Sequence, residues 1–460
     1  MIGALLCIAS ILFVQRMASR GLGTAIGAVL LVGYAYGIVR ARVNDAFSHF
    51  VFDAAMLALY AGQFGRSGRA STDRSRAVMP WVILLITWPV FVFCAPLQHV
   101  FIQLVGLRAA VFFLPLILLG SRCEREDVDT VSRWLVVLNL VAFSFAVAEY
   151  FIGLEPFYPR NLVTLIIYRS HDIGAMGSHR IPGTFANAHS YAGTMVGTLP
   201  FLLVRWQSDS GPRKFLASCS IVATSFAVFM AGARLPVVIL FLELGLVLFA
   251  LRLTPRMKAS IAAFGCIVAW LVAQSERFQR FLTLQDTEAV AERVSGSINM
   301  GFFEMLLNYP LGGGLGSAAG TSIPYFLAEF QSGPQIGMEN EYGRIALEQS
   351  IVGLALWLGF VTKTVTHRWA PVSREWALGT KIMRVCVAAT WAASFIGTGT
   401  LTSIPGTAVL LFEMGLLWRE SAARPSLTSV PRERPSQVPP GDALDRPARR
   451  PHLATEHPYG

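Results

Sequence analysis

Apolar runs that approach bilayer thickness recur from one end of this chain to the other, separated by short clusters rich in Arg, Lys, Gly and Pro. Read in order, they predict membrane helices over 2–15, 22–39, 47–63, 78–95, 106–120, 134–152, 187–204, 215–231, 235–251, 259–274, 345–362, 382–398 and 402–418. An untilted span takes about 20 residues of helix, so the shorter runs are expected to extend a few residues past their apolar limits. The run 47–63 is the least regular, because it carries Asp53. No internal repeat is visible, which counts against an inverted-repeat transporter. The pattern therefore predicts an all-α polytopic membrane protein with about 12–13 transmembrane helices and one large polar loop. Its expected parts are an N-terminal transmembrane bundle over 1–274, the loop over 275–344, C-terminal transmembrane helices over 345–418 and a Pro- and Arg-rich tail over 419–460.

Composition agrees with the pattern. Hydrophobic residues make up 54% of the 460 and charged residues 14%, with a mean hydropathy of +0.53; soluble domains carry about a quarter charged residues. The formal net charge of +10 does not point to nucleic acid, because the cations lie between apolar runs and in the tail, where topology determinants lie. Basic clusters over Gly65–Arg76, Arg205–Lys214, Arg252–Lys258 and Lys363–Arg384 all fall on one face when the spans are counted. The positive-inside rule makes that face cytoplasmic. The loops 153–186 and 275–344 then share the outer face, with Arg40 and Arg42 as exceptions to the rule. The tail from Arg419 is expected to be a disordered cytoplasmic extension. Six scattered cysteines without a CxxC pair, and no His at ligand spacing, argue against a disulfide framework and a structural zinc. Met1 to Val14 lacks a basic start and an Ala-x-Ala exit, so it reads as a retained helix and not a cleaved signal.

Candidate chemistry gathers at the outer ends of the spans. Arg180 opens Arg180-Ile-Pro-Gly-Thr-Phe-Ala-Asn187, Arg234 lies in the turn Ala231-Gly-Ala-Arg234-Leu-Pro236, and Arg108 starts the span at 106. Guanidinium groups hold a bidentate fork and a permanent charge, so three of them converging would suit a phosphate. Each one alone can equally anchor a helix at the lipid headgroups. Glu339-Asn340-Glu341-Tyr342 lies just before the span at 345. A carboxylate there can serve as a general base toward a hydroxyl, and Asn340 or Glu341 can instead cap the helix. Glu348 is a carboxylate inside a span and calls for a partner, as do Glu243 and Glu413. The run Gly312-Gly-Gly314 lacks the Lys-Ser/Thr and the strand of a nucleotide loop.

Taken in order, three segments resemble the O-antigen polymerase/ligase superfamily of bacterial inner-membrane proteins. They are Arg180-Ile-Pro-Gly-Thr-Phe-Ala-Asn187, the Arg234 turn, and Asn308-Tyr-Pro-Leu-Gly-Gly-Gly-Leu-Gly316 followed by Glu339-Asn340-Glu341-Tyr342 and Glu348-Gln-Ser-Ile-Val-Gly353. The similarity spans roughly 100–418, and its Glu-Asn-Glu-Tyr-Gly-Arg form is closest to the exopolysaccharide branch. The resemblance implies an inverting glycosyltransferase that polymerises or ligates undecaprenyl-diphosphate-linked oligosaccharides on the periplasmic face. It implies diphosphate binding by Arg180 and Arg234, joined by Arg293 in the loop; Arg108, from its place at a span start on the same face, is expected beside them. Glu339 stands where many members have a His that activates the acceptor, with Asn340 beside it. No cofactor and no metal are expected, since the outer loops carry no Asp-x-Asp. The implied partners are the lipid-linked donor, a growing polysaccharide or lipid acceptor, a chain-length regulator, other assembly proteins and membrane lipids, with no nucleic acid. The implied location is the bacterial inner membrane, the large loop periplasmic and the C-terminus cytoplasmic. Two rivals stay open at this point: a transporter or flippase of a lipid-linked or anionic glycan, and a non-catalytic polysaccharide assembly protein.

Overall fold

The computed structural model describes residues 1–64, 75–169, 179–250, 287–298, 302–318, 323–331, 340–367, 375–397 and 399–419, with a few isolated positions between them. The described residues are all-helical. In chain order the helices are α1 (Ile2–Ala18), α2 (Leu22–Arg42), α3 (Val51–Phe64), α4 (Met79–Phe93), α5 (Val100–Val111), α6 (Pro115–Arg122), α7 (Arg125–Ile152) and the short α8 (Leu165–Arg169). Then follow α9 (Ala188–Ser208), α10 (Gly211–Met230), α11 (Arg234–Ala250), α12 (Thr287–Ile298), α13 (Glu304–Asn308), α14 (Glu341–Thr366), α15 (Ala377–Ala393) and α16 (Gly406–Leu417).

Among the described residues, five helical segments are long and apolar enough to cross a membrane: Leu22–Arg42, Val100–Arg122, Arg125–Ile152, Gly211–Met230 and Glu341–Thr366. Shorter apolar helices accompany them at Ile2–Ala18, Met79–Phe93 and Gly406–Leu417. Large apolar side chains such as Leu5, Leu12, Phe91 and Phe241 stay exposed on the outside, as helices in lipid require. Inside, Tyr34, Asn139, Thr198 and Thr224 form a buried network, with Tyr34 Oη donating to Asn139 Oδ1 at 2.6 Å and Asn139 Nδ2 donating to the two threonines at 2.9 and 2.8 Å. Such bonds tie helices together where water offers no alternative partner.

Contacts sort the helix ends into two poles. At one, Arg125 pairs with Glu375, Arg205 meets Asp129 at 3.1 Å, and Gly23 N–H donates to Asp127 at 2.8 Å. At the other, the 180–187 segment, the starts of α9, α11 and α14, the 312–316 run and the 394–405 loop come together. The expected span at 106–120 begins earlier, at Val100, and bends where α5 gives way to α6. α14 begins at Glu341 because Asn340 caps it, four residues before the apolar run starts. Described residues within 275–344 include α12, α13 and a 3-10 turn at Tyr325–Phe330. Most of the expected span 259–274, and the tail beyond Arg419, lie outside the described residues.

Candidate active site

The segment 180–187 is pinned from several sides. Gly183 takes φ +58 and its N–H donates to Glu149 Oε2 at 2.9 Å, while Tyr158 Oη donates to the Gly183 and Phe185 carbonyls at 2.7 and 2.8 Å. Phe185 is fully buried, and the backbone there lies so close to Gly37 that any Cβ would collide with it. Asn187 then caps α9, its Oδ1 accepting from Ser190 N–H at 2.8 Å. This rigid entry holds Arg180 beside the first turn of α9, where its guanidinium engages His189 Nε2.

Arg234 is the first residue of α11. Its guanidinium makes no hydrogen bond or ion pair among the described residues, and its Nε is buried. Leu235 beside it packs on Gly397. That contact joins α11 to the 394–405 loop.

α14 supplies the third side. Asn340 is fully buried and its Oδ1 accepts from Gly343 N–H at 3.1 Å, so the cap reading describes this oxygen. Glu341, Arg344 and Glu348, at 0%, 5% and 1% exposure, stack along one face of the helix through their i, i+3 and i+7 spacing. Arg344 reaches Glu341 Oε1 at 2.5 Å and Glu348 Oε2 at 3.0 Å. Glu341 does not cap its own helix. Its carboxylate accepts N–H bonds from Gly399 at 2.8 Å and Leu401 at 3.3 Å, and its N–H points to the Ser394 and Gly397 carbonyls at 2.9 and 3.2 Å. Tyr342 stacks on Phe395 at 4.1 Å and donates to the Trp391 carbonyl at 2.8 Å. The buried stack thereby fastens the loop to α14. Buried charges are tolerable here because each meets an opposite charge or an N–H.

α14 is broken two residues beyond Glu348. Ser350 has φ +63, the one non-glycine with positive φ among the described residues, and its Oγ accepts from Val352 N–H at 3.3 Å to start the second half of the helix. Carbonyls beside the break are taken up by the Leu347 oxygen accepting Gly313 N–H at 2.7 Å and the Gln349 oxygen accepting the Trp88 indole at 2.7 Å. This accounts for the glycine run. A Cβ on Gly312 would lie 2.8 Å from the Leu347 carbonyl, and one on Gly316 would lie 2.4 Å from that of Ile102.

The 394–405 loop thus touches the start of α11 through Leu235 and binds Glu341 of α14, next to Asn340; Gly406, just past its end, packs on Thr194, five residues along α9 from Arg180's partner His189. Arg108 differs from expectation. It sits inside a helix and not at a span end, with Nε and Nη2 bound to Asp53 at 2.8 and 2.6 Å. The same pair explains how Asp53 enters the bundle. Arg293 lies on α12 with its side chain outside the described residues, and Glu339 also lies outside them. Glu243 and Glu413, expected to find Arg or backbone partners, are instead fully buried with carboxyl oxygens that meet neither among the described residues. In the sequence Glu341 was legible only as a cap or a base, and Arg344 and the loop were not foreseen as parts of the site. The Glu-x-x-Arg-x-x-x-Glu spacing signalled the stack, but nothing local signalled its contact across to 394–405. No protein-family model matches the chain, and no curated protein matches it.

Proposed function

We infer that this protein is an inner-membrane glycosyltransferase that polymerises or ligates undecaprenyl-diphosphate-linked oligosaccharides on the periplasmic face. The observation that carries the reading is Arg234: a cation at a helix start with no acid among the described residues, beside a polar loop whose Gly399 and Leu401 N–H groups bind Glu341 of α14, next to Asn340. An unanswered guanidinium suits an anionic ligand with paired oxygens. In the proposed reaction an acceptor hydroxyl attacks the anomeric carbon, and the bond from that carbon to the diphosphate breaks with inversion. The electron pair leaves with the diphosphate, where Arg234 and Arg180 stabilise the growing charge. Glu339 takes the hydroxyl proton, and Asn340, its neighbour in the chain and the cap of α14, orients the acceptor or that carboxylate. Arg293 on α12 is a further phosphate ligand in this reading, while Arg108 contributes through its pair with Asp53.

The break at Ser350 favours a second reading, a transporter or flippase, because discontinuous helices often line transport sites. Against it, the carbonyls of Leu347 and Gln349 already have donors. Purified protein reconstituted with an undecaprenyl-diphosphate oligosaccharide separates the two. New glycosidic bonds support the enzyme; relocation across the bilayer without bond formation overturns it.

A further inference from the structure

Glu149 is a carboxyl in the last turn of α7, and the proposed reaction gives it no part. An acid within a span is costly and persists where it has a task. It is 2% exposed, and its Oε2 accepts the Gly183 N–H at 2.9 Å from 34 residues along the chain. Its Oε1 is buried and makes no hydrogen bond among the described residues. The contact therefore uses a single acceptor oxygen.

The far end of that contact is the stretch of backbone that carries Arg180. Gly183 follows Arg180 by three residues. At φ +58 it gives its N–H to Glu149, while its carbonyl accepts from Tyr158 Oη at 2.7 Å. Between the two residues, Ile181 is 1% exposed in the core and the Pro182 ring fixes φ, so little freedom remains. The Pro182 carbonyl accepts the Phe185 N–H at 3.1 Å and closes a turn. Tyr191 packs its ring against Gly183, where a Cβ would lie 3.1 Å from it. Fixing the Gly183 amide thus fixes the backbone of Arg180, whose guanidinium engages His189 on α9. A buried N–H without a partner costs free energy, so the segment shifts or opens when Glu149 no longer reaches it.

We propose that Glu149 is a positioning residue for Arg180: its Oε2 fixes the Gly183 amide and so holds the Arg180 guanidinium where the lipid-linked diphosphate arrives. The diphosphate rests on the glycosyltransferase reading, and the hold on the segment does not. Reach and one acceptor oxygen matter in this role, and negative charge does not. An amide of the same length serves as well as the carboxylate, and a shorter carboxylate fails.

The test uses the full chain in nanodiscs and two readouts, hydrogen exchange over 181–187 and binding of undecaprenyl diphosphate. Glu149→Gln keeps the acceptor and should match the wild type in both. Glu149→Asp keeps the charge but is one methylene short. It should lose exchange protection at Gly183 and bind about tenfold more weakly or worse, since a shift of about 1 Å can cost up to about 10²-fold. Equal protection in the Gln and Asp variants, or a Gln variant that behaves worse than Asp, overturns the proposal. In an Arg180→Gln background, Glu149→Asp should cost little further affinity, because it acts through the guanidinium. The same loss with and without Arg180 overturns the positioning role and leaves Glu149 as scaffold. A wild type that binds the probe no better than Arg180→Gln does, with the exchange contrast intact, sinks the diphosphate role of Arg180 and the functional reading with it. Glu149 still holds the segment in that outcome. Probe binding that depends on Arg180 beside equal exchange in the Gln and Asp variants does the reverse.

Discussion

Arg234 begins α11 with a buried Nε and no acid to meet it among the described residues, at the helix end whose dipole disfavours a cation. Arg234→Lys keeps the charge and loses the fork, so turnover at equal expression should fall about tenfold or more, on the order of 1.4 kcal/mol. Near-normal turnover would reduce Arg234 to a helix anchor. Arg344 makes the opposite prediction. It lies between Glu341 and Glu348, so Arg344→Met strands two buried carboxylates and should cost about 3–5 kcal/mol of stability, read as a lower melting temperature in detergent. Asn340 allows cap and chemistry to be separated. Asn340→Ser retains a capping oxygen but removes the amide donor, so folded protein should keep its melting temperature and lose roughly tenfold in turnover. Full turnover in Asn340→Ser would leave the cap as its whole role.

Among the elements, α14 departs furthest from regular geometry. The φ of +63 at Ser350 is a conformation that β-branched residues strongly resist. Ser350→Val should therefore lower stability by about 1–3 kcal/mol, while Ser350→Gly should stay close to the wild type. Equal melting temperatures for the two variants would mean that α14 runs unbroken. The glycine run and the break form one joint, because Gly313 N–H supplies the bond that the broken helix leaves open at Leu347. That joint was half-visible in the sequence. The glycines in Asn308-Tyr-Pro-Leu-Gly-Gly-Gly-Leu-Gly316 announced a close approach of backbones, but their partner lies some thirty residues on, and only packing names it. The hairpin between the runs 382–398 and 402–418 was legible only as a short turn. Its Gly and Thr residues are apolar enough to extend both runs, and the loop of 394–405 emerges because Glu341 competes for its N–H groups.

For the whole molecule, the two poles carry the topological prediction. One gathers Arg125 and Arg205 with their acids, and the other gathers the candidate site. Basic clusters of this kind favour the cytoplasm. An alkaline phosphatase fused near Gln331 should be active and one fused near Pro371 inactive; the reverse result would invert the orientation and remove the periplasmic reaction.

Sequence alone determined the all-helical class and the approximate position of most helices, because an apolar run in a bilayer has few ways to satisfy its backbone other than a helix. It also marked Arg234 and Asn340 as residues at helix starts and Arg180 as a residue ahead of one, since Asn, Gly and Pro beside an apolar run signal an end whatever the tertiary fold. It could not assign partners. Arg108 read as a free phosphate ligand until Asp53, a separate helix away, was seen to bind it bidentately. Glu341 read as a cap or a base until the 394–405 loop came round to meet it. Both outcomes depend on distances between segments far apart in the chain, and local patterning carries no term for those. The tertiary structure alone decided which charges are answered among the described residues and that Arg234 is not one of them.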